Sequence, residues 1–125
     1  MLKKEDLIYT VSFITSKIIE DGEAKLEGAT GLYYKTKKDG KDIYLIISNK
    51  HFFEGKNQFE FSMPFVDNGE EYIMTHKITI DPAIHPTYDI GAICITDAVH
   101  NLTQNYSLKN KFIEKKIYWI FHHKQ

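Results

Sequence analysis

The chain contains no arginine: all 16 of its basic residues are lysine. It therefore lacks the planar donor fork that reads guanine edges and clasps phosphate in two places at once. The formal charge of −1 supplies no long-range field for nucleic acid or acidic lipid. Together these absences argue against a nucleic-acid partner. Cysteine is nearly absent as well. Cys94 stands alone, which excludes an internal disulfide and a cysteine-based zinc site. Its place inside an apolar run marks it as a small buried residue rather than a nucleophile. No apolar stretch approaches the roughly 20 residues that span a bilayer, so no membrane partner is expected. Lys3 and Lys4 precede the apolar run Leu7–Ile14 as in a secretory signal. However, Glu5 and Asp6 interrupt the basic region, Tyr9, Thr10 and Ser12 dilute the apolar one, and no small-x-small site follows. The expectation is a chain without a signal peptide, hence cytoplasmic.

What is present is a single domain's worth of globular sequence, with 125 residues, 42% apolar and 26% charged. Repeats, low-complexity tracts and Pro/Ser-rich linkers are missing. Short aromatic and β-branched runs alternate with turn signals. Leu7–Ile14 is the first run, followed by Asp21-Gly22. Gly31–Lys35 is the second. Lys38-Asp39-Gly40-Lys41 then marks a tight hairpin, since Asp-Gly suits two successive positive backbone angles. Asp42–Ser48 is apolar enough for a central strand. Gln58–Met63 alternates, with Phe59, Phe61 and Met63 on one face. Asn68-Gly69 is another hairpin signal, and Glu71–Ile80 and Ile90–Ile95 complete the set. About six or seven short strands with tight turns point to an all-β barrel or sandwich. Toward the end, Leu108, Phe112, Ile113 and Ile117 recur at helical spacing behind Ser107, a plausible N-cap. The expected division is a β-barrel domain over 1–105 and a helical, apolar tail over 106–125, which holds the run Ile117-Tyr118-Trp119-Ile120-Phe121 and closes on His122-His123-Lys124-Gln125.

Metal and cofactor signals are weak. Gly28 and Gly31 do not form a phosphate loop, because no lysine-serine or lysine-threonine pair follows; they read as backbone room near a bend. His85 and Asp89 would share a helical face, but Pro86 between them argues against a continuing helix. His122 and His123 are adjacent and so poorly placed to converge on one ion. No metal and no cofactor are expected. The aromatic content reads as β-core rather than a base-stacking platform, for want of a basic groove.

Three segments, in order, resemble the trypsin-like serine peptidases. Gly28-Ala29-Thr30-Gly31-Leu32-Tyr33-Tyr34 resembles the glycine-rich lead-in to an early strand. Tyr44-Leu45-Ile46-Ile47-Ser48-Asn49-Lys50-His51 resembles the strand and turn bearing the catalytic histidine, particularly in bacterial members. His85-Pro86-Thr87-Tyr88-Asp89-Ile90-Gly91 resembles the segment bearing the catalytic aspartate. The resemblance covers only the first half of such a peptidase. It implies a single six- to seven-stranded antiparallel Greek-key barrel, to which the helical spacing adds a short C-terminal helix. It also implies that His51 is the general base and acid and that Asp89 orients it.

The family's nucleophile lies in a G-x-S-G turn of a second barrel. The serines here are Ser12, Ser16, Ser48, Ser62 and Ser107, and none has a glycine neighbour. A chain with the histidine and aspartate but without that turn is expected to be inactive alone. A peptide or protein substrate is implied only if a second barrel completes the site. An unpacked first barrel would also expose apolar surface prone to self-association. The alternative is a non-enzymatic β-barrel that binds a protein partner, which has no reason to bring His51 and Asp89 together.

Overall fold

A computed structural model describes residues 10–110 and 112–114. Nine strands and two helices are described. The strands are β1 (Val11–Glu20), β2 (Glu23–Lys38), β3 (Lys41–Ser48), β4 (Gln58–Asp67), β5 (Glu70–Thr79), β6 (Ala83–Ile84), β7 (Gly91–Cys94), β8 (Ser107–Leu108) and β9 (Ile113–Glu114). The helices are α1 (Lys50–Phe53) and α2 (Thr96–Thr103). The protein is all-β, and among the described residues every ladder is antiparallel except the short pairing of β9 with β2.

Turn chemistry sets the hairpins. Asp21-Gly22, Asp39-Gly40 and Asn68-Gly69 all have φ between 52° and 79°. Each forms the two-residue loop between paired strand ends, as Glu20↔Glu23, Lys38↔Lys41 and Asp67↔Glu70. Two positive angles in succession match the right-handed twist of the flanking strands, and aspartate, asparagine and glycine tolerate them best. The first strand extends beyond the expected Ile14, continuing to Glu20 at the first of these turns.

The strand order is β5-β4-β1-β2-β3-β7-β6, with β8 beside β4 and β9 beside β2. The run β4-β1-β2-β3 is a Greek key: three hairpin-linked strands and a fourth that returns beside the first. Among the described residues the expected closure into a barrel does not occur. No ladder joins β5 to β7, because the second edge of β7 is taken by β6 through Ala83↔Ala92 and Ile84↔Gly91. The chain then turns directly from β7 into α2. A cavity of about 360 Å³ remains in the seam, bordered by His76, Ile78 and Ile80 on one side and by Cys94, Asp97 and Asn101 on the other.

The helical spacing expected behind Ser107 is corrected over the described residues; the expected tail from 115 onward lies outside them. Residues 107–108 and 113–114 are strands, the first paired with β4 and the second with β2. Leu108 and Phe112 pack on the core, with Phe112 edge-on to Tyr33 and Tyr44. The eight-residue helix lies earlier, at α2, which buries Val99 and Leu102. The apolar run 117–121 lies outside the described residues.

The core forms where the alternation of β4 meets the rest of the sheet. Phe59, Phe61, Met63 and Phe65 are buried together with Ile14, Ile46, Phe53 and Ile93. Cys94, expected to be buried, is only half-buried, with its Sγ 3.2 Å from Thr96 Oγ1. His76 of β5 is drawn against this region. It stacks on Phe61 with centroids 5.4 Å apart, and its Nε2 is buried without a hydrogen-bond partner. Burial holds its imidazole below the ordinary value of 6.5. The unfolded chain therefore takes up the proton first, and stability falls as pH drops below that value. His76→Phe is expected to flatten this dependence and to raise Tm by roughly 3 °C, about 1 kcal/mol. Urea unfolding at about pH 7 and about pH 5 checks it: an unchanged difference between the two conditions in the variant would contradict the assignment.

Candidate active site

The meeting of His51 and Asp89 follows from one strand pairing. Ser48, the last residue of β3, pairs with Gly91, the first of β7. The chain leaves one strand where it enters its neighbour, so the residues just beyond each end share one edge of the sheet. His51 lies three positions after Ser48 and Asp89 two positions before Gly91.

Each side chain is delivered by a small, anchored element. α1 has only four residues and no side-chain N-cap. A helix this short draws its stability from packing rather than propensity. Phe52 and Phe53 are buried and meet Phe59 through their ring edges and faces. Lys56 Nζ donates to the Phe52 carbonyl at 2.6 Å, satisfying an open acceptor at the end of the helix, and pairs with Glu27. Asn49, whose side chain could have capped the helix, instead directs Nδ2 toward Asp89 Oδ2 at 3.5 Å.

Asp89 lies in the tight loop between β6 and β7. The loop is closed by His85 N donating to Ile90 O at 2.9 Å and Ile90 N donating to Tyr88 O at 2.8 Å. The imidazole of His85 braces it from within. Its Nδ1 accepts from the backbone N–H groups of Thr87 and Tyr88, both at 3.0 Å, and its ring lies against that of Tyr88.

His51 and Asp89 are joined twice. The His51 backbone N–H donates to Asp89 Oδ1 at 3.0 Å, and His51 Nδ1 lies 2.7 Å from Oδ2. The carboxyl is held below its ordinary value of 3.8. The backbone N–H of His51 is the leading cause, partial desolvation opposes it, and the His51 side chain adds to it. The carboxylate thus persists through neutral pH and is lost only as pH falls below the usual carboxylate range. Both side chains are solvent-exposed, 72% and 52%. A polar contact so exposed adds little to folding stability. Its effect is on orientation: Nδ1 is engaged, and Nε2 on the opposite side of the ring is left to accept a proton.

The two candidate site residues named from the sequence are therefore adjacent. The sequence reading gave no role to Asn49 or to His85, although both fall within the segments it singled out. An asparagine ahead of a short helix and a histidine beside Pro86 are the signals that could have marked them. No serine joins the pair among the described residues. Ser16 and Ser48 donate to the carbonyls of Gln58 and Thr30, Ser62 pairs with Thr75, and Ser12 is buried in β1. Ser107 is committed to β8. Among the described residues, no three histidine, cysteine, aspartate or glutamate side chains cluster as metal ligands, and no helix is long and apolar enough to cross a membrane.

Comparison with family models, with curated proteins and with solved structures returns no match.

Proposed function

We propose that the chain is the histidine–aspartate half of a trypsin-like serine peptidase, with the nucleophile supplied by a second polypeptide segment. The observation that carries this reading is the doubly bonded His51–Asp89 pair, formed across 38 residues at one edge of the sheet. The Greek-key order of β4-β1-β2-β3 supports it. In such a site Asp89 would keep the proton of His51 on Nδ1, so that Nε2 accepts the proton of an incoming serine hydroxyl and later returns it to the leaving group. The aspartate would also stabilise the imidazolium formed between those two steps. Peptide or protein would be the substrate class, and the determinants of preference would lie with the serine.

The test is coexpression with the polypeptide encoded immediately downstream. A G-x-S-G segment there, and labelling of its serine by a fluorophosphonate that needs both chains and is lost in His51→Ala, is the expected result. The chain alone should neither label nor turn over a peptide ester. Turnover by the chain alone that disappears in His51→Ala would contradict the requirement for a second half. Absence of any G-x-S-G partner, with His51→Ala changing nothing in the mixture, would leave the rival reading of a protein-binding β module.

A further inference from the structure

We infer that two copies of this chain pair edge to edge through β5, forming one continuous antiparallel sheet around a two-fold axis at Met74. β5 is an end strand, hydrogen-bonded on one side to β4 and on the other to no described strand. Its ladder with β4 runs without a bulge from Gln58↔Thr79 to Asp67↔Glu70. Natural edge strands are usually kept short or interrupted by proline, bulges or several lysines. The opposite end of this sheet follows that habit, since β6 has two residues. β5 has ten residues, no proline and a single lysine, Lys77. Ile73 is 72% exposed and Tyr72 45%.

The backbone directions favour this pairing. Asp67 and Glu70 flank a two-residue turn and so form a hydrogen-bonded pair, and Ile80 N donates to Asn57 O at 2.8 Å. Even-numbered residues of β5 thus spend their backbone groups on β4. Glu71, Ile73, Thr75 and Lys77 direct theirs outward.

The side chains choose the register and the partner. Keeping inner face with inner face allows only shifts by two residues. With Met74 opposite Met74, Glu71 meets Lys77, Ile73 meets Thr75 and Tyr72 meets His76, and each of these pairs occurs twice. A shift of two residues either way puts Glu71 against Thr75 or Thr79 and loses both charge pairs. The strand is therefore complementary to itself in one register. The present contacts of these charges, Lys109 with Glu71 at 3.8 Å and Glu60 with Lys77 at 4.0 Å, are long and at least partly exposed, and so exchange easily.

Light scattering and sedimentation of the full chain across a concentration series test this. The wild type should be dimeric at high concentration, with the outward amides of Ile73 and Thr75 protected from hydrogen exchange. Thr75→Pro removes an outward N–H and leaves the β4 ladder its own donors, so it should give a monomer. Glu71→Lys or Lys77→Glu alone should weaken the dimer by about tenfold in dissociation constant, and the two together should restore it. A monomer at every concentration overturns the inference, including one whose Ile73 and Thr75 amides are protected by another part of the same chain. So does a dimer that is indifferent to both charge reversals. None of these outcomes depends on the peptidase reading.

Discussion

Phe53→Ala is expected to lower the free energy of unfolding by about 3–5 kcal/mol and to release His51 from Asp89 in the molecules that remain folded. Phe53 is fully buried, with ring centroids 5.3 Å from Phe52 and 5.4 Å from Phe59. It therefore performs two tasks. It fills the core above β4, and it fixes a four-residue helix that lacks a side-chain N-cap. Truncation leaves a cavity under α1 and removes the contact that orients it. Denaturant unfolding measures the first effect and the ring-nitrogen resonances of His51 the second. A loss below about 1 kcal/mol would mean that α1 is held by something other than Phe53.

Gly91→Val should also destabilise the protein, by the opposite route and by less. A Cβ at position 91 would lie 2.6 Å from Phe53 Cδ2 and 3.3 Å from the carbonyl oxygen of Ala83. The side chain has the helix on one side and the backbone of β6 on the other, so one of them must move. Overpacking of this kind costs about 1–3 kcal/mol, and the displacement falls two residues from Asp89. The two substitutions should also be coupled. With Phe53 truncated, the valine finds space, and the double variant should be more stable than the sum of the single losses predicts by about 0.5–3 kcal/mol. Simple additivity would show that ring and glycine are not in contact.

The legible parts of this fold were those governed by local chemistry. Asp21-Gly22, Asp39-Gly40 and Asn68-Gly69 announce two-residue turns because few other pairs tolerate the angles. The alternation of Phe59, Phe61 and Met63 announces the buried face of β4. Barrel closure was not legible, because it depends on which strand occupies the second edge of β7, and the two-residue β6 carries no periodicity. The spacing of Leu108, Phe112 and Ile113 suggested a helix for a reason unrelated to helical geometry. Leu108 sits in β8 beside Phe65, while Phe112 packs edge-on to Tyr33 and Tyr44 of the neighbouring strands. α2 was hidden because it turns only a few apolar residues inward. Of the site, His51 and Asp89 were visible through the segments around them. Asn49 and His85 were not singled out, since an asparagine ahead of a helix and a histidine beside a proline do not by themselves say which carboxylate or loop amides they will bond.

The most direct test of the account is the protonation pattern of the His51 ring, read from long-range proton–nitrogen correlation spectra at neutral pH. The wild-type protein should carry its proton on Nδ1, donated to Asp89, with Nε2 bare. In Asp89→Asn the amide can donate in place of the carboxylate, so the proton should move to Nε2. A wild-type ring already protonated at Nε2, or one unaffected by Asp89→Asn, would contradict the pairing on which the proposed chemistry rests.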